Sequence, residues 1–524
     1  MKKRGVSLVA LVVTIIVLII LSGAVILRAV NTGIFQNGIF AINKWNDNIS
    51  KEDILLDNIE SEFLSWEYKT WREIADTQVS DYTKLKQEEF ALLFQSGEGT
   101  ESNPYIIANA KQLACLAASI NDGLTYGDGK YYKLNNDINL GNLKWTPIGY
   151  KNEAFVGFFD GNGYSISNVF VQENGVNIAG LFGTVSDNSI IEDITITSGS
   201  YFAANYAGGI AGKLNNSQIK DCTNYANIST NREFSSGIVA AAEGTCTIEN
   251  CVNYGQIATK NGGKFAAGIV GAADGQPTIK GCINNGDITG DHQQNGGIVG
   301  YIENATVEGC INNGNVIAKM NSNNPSSGSF TAGIAGYIQN STISSCINNG
   351  DVTADNNAVG GIAGRNVSTT ITDCYNSGKI KVLLVLQAST INCAGGIAGD
   401  NRGIIEYCYN TGVVEAADKE TFKSCIGGIT GLNTSDATIS YCYSNAELVN
   451  SNRPGGVVGQ LYSGTLTKNF YYDENVKVGI GHSGTDYGIT ANGSDVSGQA
   501  QIVTQTQANS ITNFEEFKTW IEQQ

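Results

Sequence analysis

The residues best suited to chemistry in this sequence are its cysteines. Eight of them recur in one setting: Cys222, Cys251, Cys282, Cys310, Cys346, Cys374, Cys408 and Cys442. Two residues on come Asn224, Asn253, Asn284, Asn312, Asn348, Asn376, Asn410 and then Ser444. Two further on come Ala226, Gly255, Gly286, Gly314, Gly350, Gly378, Gly412 and Ala446. Thiolates can ligate soft metals or exchange disulfides. A zinc-type site, however, needs Cys-x-x-Cys pairs or clustered histidine, and this chain has no such pair and only His292 and His482. Disulfide frameworks belong to small secreted domains, whereas 524 residues can bury a core without them. Free thiols and no metal or other cofactor are therefore expected. Carboxylates give a second candidate chemistry. The position after the recurring glycine reads Asn227, Gln256, Asp287, Asn315, Asp351, Lys379, Val413 and Glu447. If the units stack, Asp287 and Asp351 lie two layers, roughly 10 Å, apart. That spacing suits a weak Ca²⁺ site or an inverting carboxylate pair. Solvated turn residues are the plainer expectation, and no catalytic residue is assigned.

The elements that carry these residues are repeats. A Gly-Ile/Val-x-Gly element begins at Ala179, Gly208, Ser236, Ala267, Gly296, Ala332, Gly360, Gly395, Gly427 and Gly455, ten copies spaced 28 to 36 residues apart. Each copy from Gly208 to Gly427 precedes one of the Cys-x-Asn/Ser units. Short apolar runs split by turns give three strands of about four to six residues per unit, none with a 3.6-residue period. One unit cannot bury its apolar face, whereas a stack can. The fold class expected is mostly β: a right-handed parallel β-helix with three strands per coil and about ten or more coils. At about 4.8 Å per coil the rod is on the order of 50 Å long. In such a stack the cysteines form an inward ladder of small hydrophobes. The asparagines form an amide ladder at a turn, and the glycines supply positive φ. A further row lies four residues before each central Ile or Val: Tyr206, Phe234, Phe265, Phe330, Cys393 and Cys425, broken at Gln294, Ala358 and Arg453. It is expected as an aromatic spine inside the coil.

Rod ends need caps. "NAKQLACLAASIN" from Asn109 has a capping asparagine and Leu113, Leu116, Ala117 and Ile120 at helical spacing, with Cys115 outside the ladder. The tail "NFEEFKTWIEQQ" is expected as a short helix at or near the other end. At the amino terminus Lys2, Lys3 and Arg4 precede 22 uncharged residues, Val6 to Leu27. That length spans a hydrocarbon core, and the basic flank keeps the leader cytoplasmic, with the body outside. Ile54, Leu55, Ile59, Phe63, Trp66 and Ile74 can share one helical face of a stalk, and 77–98 reads as a linker. The segments expected are leader and transmembrane helix 1–30, stalk and linker 31–98, cap and first coils 99–180, repeats 181–470, and a carboxy-terminal segment 471–524. Three long insertions, 319–330, 381–390 and 416–425, fall at one corner of the repeat. Val382, Leu383, Leu384, Val385 and Leu386 are apolar where a loop is usually polar, which fits either an extended strand tucked against the rod or a candidate binding corner.

Two resemblances add to this reading. The basic leader, Gly5 and the apolar run from Val6 resemble the prepilin-type leader of type IV pilin-like proteins. The resemblance implies cleavage between Gly5 and Val6 by a prepilin peptidase; Ala10 stands where such pilins carry glutamate. "GTESNPYIIANAKQLACLA", "YYKLNNDINL", "WTPIG" and "GFFDGNGYSISNV", followed by the repeats, resemble bacterial surface proteins with GLUG-motif repeats, over roughly residues 99–475. That family implies a right-handed β-helix displayed on the cell surface and no particular ligand. In some relatives such repeats adjoin a peptidase domain, but His-Glu-x-x-His is absent here. A net charge of −17 argues against a nucleic-acid partner. The function expected is a membrane-tethered, outward-facing adhesin or envelope scaffold that binds a surface glycan or protein. The alternatives are a pseudopilin-like component of a pilus or secretion machine and a polysaccharide lyase or hydrolase.

Overall fold

The computed structural model describes residues 70–524 apart from 151, 173–176, 204, 261–262, 292, 320–328, 356–357, 384–391, 417–423, 452–453, 473–477 and 484–499. Each coil of the body is a run of short strands. In one coil these are Phe265–Ala267, Val270–Asp274, Thr278–Lys280, Ile283–Asn284 and Ile288–Gly290. The next coil repeats them in parallel register: Phe265 pairs with Gln294, Val270 with Val299, Thr278 with Thr306, Ile283 with Ile311 and Ile288 with Val316. In this order round the coil we name sheet I (10 strands), sheet II (22 strands, two per typical coil), sheet III (13) and sheet IV (10). Together they form a mostly β, parallel β-solenoid of about 12 turns.

The coil thus has five strands on four sheets, not three strands. Two of the three apolar runs contain a corner that hydropathy does not reveal. One corner lies inside the Gly-Ile/Val-x-Gly run, between sheets I and II. The other falls just before each ladder cysteine, where Asp221, Asn250, Gly281, Gly309, Ser345 and Asp373 all take φ between 53° and 63°. The glycines after the asparagines do not supply positive φ. A Cβ on Gly286 would instead overlap the carbonyl oxygen of Gly255 in the preceding coil. Close approach of stacked backbones, not handedness, requires glycine there.

The amino-terminal end is closed by three helices, α1 (Trp71–Gln78), α2 (Gln87–Ala91) and α3 (Ala110–Asn121). Thr70 opens α1 with a capping box: its Oγ1 accepts the Glu73 N–H and its own N–H donates to Glu73 Oε2. Asn109 caps α3 by accepting the Gln112 N–H, and Leu113, Leu116 and Ile120 join the core above Tyr132 and Leu134 of the first coil. Ile74, expected on the stalk, is buried in this cap. Residues 77–98 are no linker: Tyr82, Phe90 and Phe94 are core residues of the cap. Elements of three to five residues are too short to show a period, so the sequence concealed them.

At the other end lie α4 (Gln505–Asn509) and α5 (Phe514–Ile521). They lie on the side of the rod against sheet III. Phe517 stacks on Tyr409 at 5.3 Å, Trp520 meets Phe470 at 4.8 Å, and Tyr409 Oη donates to the Ile511 carbonyl. The outward position of sheet III changes from Ile283, Ile311 and Ile347 to Tyr375, Tyr409 and Tyr443 where the tail covers it. No helix among the described residues is long and apolar enough to cross a membrane. The leader, Gly5–Val6, the apolar run 6–27 and the stalk up to residue 69 lie outside the described residues.

Candidate functional site

The two ladders fill the interior. Asn224, Asn253, Asn284, Asn312, Asn348, Asn376 and Asn410 are fully buried. Each Nδ2 from Asn224 to Asn376 donates to the Oδ1 of the next asparagine, at 2.7–2.9 Å. The same Nδ2 donates to the carbonyl two residues on in its own coil, for example Asn312 to Gly314 at 2.8 Å. The run ends where Ser444 replaces asparagine, and Asn410 Nδ2 turns to the Gly428 carbonyl. All eight ladder cysteines are buried, and all twelve cysteines of the chain are free. Their Sγ atoms lie near main-chain carbonyls, Cys310 at 3.5 Å from Glu308 O. Burial pushes the thiols of Cys251, Cys374 and Cys408 well above their ordinary range. The neutral thiol dominates, which disfavours ligation and exchange.

Asp287 and Asp351 are exposed turn residues. Asp287 Oδ1 accepts the Asn315 main-chain N–H at 2.9 Å, and Asp351 Oδ1 accepts that of Lys379 at 3.0 Å. Each carboxylate is thus occupied in splicing one coil to the next, with Asn315 between them. No group of three or more ligating side chains suited to a metal occurs among the described residues.

The three insertions leave the rod after sheet IV, at Ala318, Val382 and Ala416, and re-enter at sheet I, at Phe330, Asn392 and Ser424. Leu384, Val385 and Leu386 lie outside the described residues. Val382 is not a binding residue: it is a buried core side chain in register with Ala354 and Ala416. Strand alternation explains this, since Ile380 and Val382 point in while Lys381 points out. The Leu383 N–H bonds the Ala354 carbonyl at 2.7 Å and is still tied to the sheet.

The row beginning at Tyr206 corrects another expectation. It lies outside the coil, not within it. The residue after each row member (Ala207, Ala266, Val359, Ala394, Ile426) belongs to the core, and the row member itself lies outside that core. The bend between sheets I and II resets the alternation, so a spacing of four counted back from the buried Ile does not preserve the face. Tyr206, Phe234 and Phe265 stack along the rod at 4.9 Å between centroids. Across the same corner, sheet II presents Lys213, Ala241, Ala272, Tyr301, Tyr337, Arg365 and Asp400 in register. The two rows meet. Tyr301 lies 5.9 Å from Phe265, Tyr337 lies 5.5 Å from Tyr301, and Lys213 sits over the Tyr206 ring. A Cβ on Gly300 would come within 3.1 Å of Phe265 Cβ, so this corner is re-entrant and glycine lets it close. The result is a groove along the rod with an aromatic floor. Burial, reinforced by a 2.6 Å bond from its Oη to Glu303, raises the Tyr301 phenol well above its ordinary range.

At the coils of Phe330 and Arg365 the floor becomes charged. The Arg365 guanidinium lies 4.0 Å over the Phe330 ring, and its Nε donates to Asp400 Oδ2 at 2.8 Å. Arg402 donates to the same carboxylate through Nε and Nη2 at 3.2 and 3.0 Å. Asp400 is only 2% exposed. Burial, the largest influence, pulls the Arg365 guanidinium below its ordinary range although Asp400 opposes it. Behind it a second buried amide ladder joins Asn366, Asn401 and Asn433 at 2.8 and 2.7 Å. The sequence reading missed both features. The available signal was a departure from the repeat: positions held by Tyr301 and Ile302 in one coil become Arg365 and Asn366 two coils on.

Comparison with known proteins follows the same body. A family model for the GLUG motif matches residues 355–381, which traverse one coil from before sheet I to sheet IV. A provisionally described Gly-rich membrane protein of Evansella cellulosilytica is 33% identical over 128 residues, 23% of this chain and 14% of that protein. Halomucin of Haloquadratum walsbyi is 30% identical over 161 residues, 29% of this chain and 2% of that protein. The matched chain therefore spans only a small part of either relative. Among solved structures, that of a provisionally described immunoglobulin A1 protease from Bacteroides ovatus aligns with a TM-score of 0.40 at 20% identity, over 60% of this chain and 87% of that one. The family match falls on one coil of the stack: residues 355–381 carry the GLUG motif, and the body around them is a parallel β-solenoid that repeats this coil in register.

Proposed function

We propose that this chain is a membrane-tethered, outward-facing bacterial cell-surface protein, adhesin-like, that binds a glycan or protein ligand along the groove between sheets I and II. The observation that carries the reading is the placement of the insertions. All three open at the corner between sheets IV and I and lead directly into strands that bear groove residues, Phe330, Cys393 and Cys425. Insertions in solenoids gather on the face that meets partners. The basic leader and apolar run 6–27 supply the tether, and a relative described as a membrane protein supports that location. Replacing residues 384–391 by a short Gly/Asn turn, with Ile380–Val382 intact, tests the reading. The expected outcome is unchanged circular dichroism and melting temperature with reduced attachment of displaying cells to a glycan and matrix-protein array. Unchanged attachment moves the binding face elsewhere.

Gly5 after a basic leader favours a second reading, a pilin-like component processed by a prepilin peptidase. Mass spectrometry of the native amino terminus separates the two, since processing gives a chain beginning at Val6. A carbohydrate-active enzyme draws no support from Asp287 and Asp351, whose carboxylates hold main-chain amides. Turnover of a polysaccharide panel would nevertheless reveal one.

A further inference from the structure

We infer that Arg365, Asp400 and Arg402 form a site for the oxyanion of an acidic glycan, a sugar-borne carboxylate or sulfate. The inference rests on the groove reading above and specifies its ligand class. Two guanidinium groups share one carboxylate, so the cluster keeps a net charge of one positive unit within a chain of net charge −17. Asp400 is buried and takes bonds from both arginines, which fixes their orientation. Arg365 is 27% exposed at the side chain and Arg402 36%, so both reach solvent. Among the described residues only the Nε of Arg365 has a hydrogen-bond acceptor, and its two Nη groups remain to donate. A planar guanidinium with a free pair of N–H donors matches a carboxylate or sulfate edge in shape and charge.

Rod stability does not account for the cluster. The same row carries Tyr301 and Tyr337 before it and Leu432 after it, and the ladders elsewhere repeat their own kind. A buried ion cluster replaced by packed apolar residues is often neutral or stabilising. The rest of the groove favours the same ligand class. Tyr206, Phe234 and Phe265 stack face to face, so their faces are covered by one another and their edges line the groove. Ring edges carry partial positive charge and suit electron-rich oxygen better than the C–H face of a neutral sugar. Glu243, Asp274 and Glu303 stand on successive earlier coils of sheet II. They disfavour an acidic chain there and leave the arginine end as its anchoring point.

The test uses the full chain and calorimetry with four probes: a galacturonate trisaccharide, its methyl ester, a sulfated galactan oligosaccharide and its desulfated form. At least one acidic probe should bind about tenfold or more tighter than its neutral counterpart. The acid that wins distinguishes carboxylate from sulfate. Arg365→Gln should weaken that binding about tenfold or more, and Arg365→Lys should restore part of it, keeping the charge but losing the fork. If Arg365→Gln fails to fold, Arg402→Gln and competition of the wild type by inorganic sulfate read the same site. Equal binding of acidic and neutral probes overturns the inference and leaves the groove reading standing, as does absence of binding by both acids. Unchanged attachment after the 384–391 replacement, with oxyanion binding still weakened by Arg365→Gln, overturns the adhesion reading instead and leaves the oxyanion site standing.

Discussion

Single side chains in this protein act by stacking on their equivalents one coil away. Asn312 shows the consequence. Its Nδ2 donates to Gly314 O and Asn348 Oδ1, and its Oδ1 accepts from Asn284 Nδ2. Asn312→Ala strands these buried partners and should cost about 3 kcal/mol, since each unmet group costs roughly 1–3 kcal/mol. Asn312→Asp should cost more, because it sets a carboxylate against Asn348 Oδ1; thermal melts of the two variants check the order. The cysteines make a complementary case. Burial keeps all of them from reagent, and it raises the thiols of Cys251, Cys374 and Cys408, so their reactive thiolate is suppressed at pH 8 in the folded chain. Native protein should label slowly with a thiol reagent, whereas denatured protein should label at all twelve cysteines. Rapid native labelling of Cys310 would remove it from the core. Glu308 O lies 3.5 Å from Cys310 Sγ and can accept from a serine hydroxyl there, so Cys310→Ser and Cys310→Ala should differ little.

Elements interact laterally in two places where charge or aromaticity departs from the repeat. On sheet IV, Glu415 of one coil meets Lys379 and Lys381 of the coil before it. Burial raises the Glu415 carboxyl, but hydrogen bonds from both lysines outweigh that and hold it below its ordinary 4.5. A carboxyl depressed in the folded state stabilises above its unfolded pKa, and this contribution fades as the pH falls through the folded value. Wild type should therefore lose stability below about pH 4.5 more steeply than Glu415→Gln, as melts between pH 7 and 3 will show. On sheet III, α5 rests on Tyr409, Tyr443 and Phe470 through Phe517 and Trp520. Phe517→Ala removes a fully buried ring and should cost about 3–5 kcal/mol at that junction. Limited proteolysis should then cut within 505–524 and leave the coils intact.

At the scale of the molecule, each coil touches mainly its neighbours. Stability is then close to a sum of coil and interface contributions, and damage stays local. Asn312→Asp should accelerate amide exchange in the coils around residues 280–350 more than in the amino-terminal cap. Uniform acceleration along the rod would instead indicate one cooperative unit. The groove is also a property of this scale, since its floor combines first-position residues of sheet I with sheet II residues of several coils.

The sequence by itself determined the repeat and its register, because equal spacing of Cys, Asn and Gly forces equivalent residues onto one another in any stack. It determined α3 as well, through Asn109 and the apolar spacing of Leu113, Leu116 and Ile120, a helix long enough to show its period. Only the tertiary structure decided which face each row adopts. Two bends per coil interrupt the alternation of a strand, so Tyr206 and Phe265 face outward although their spacing to Ile210 and Ile269 looked internal. Likewise the Arg365–Asp400 pair, 35 residues apart, meets only because an insertion of variable length leaves the in-register pairing of sheet II unchanged. Stacked backbone hydrogen bonds fix that pairing, whatever the loop between coils contains.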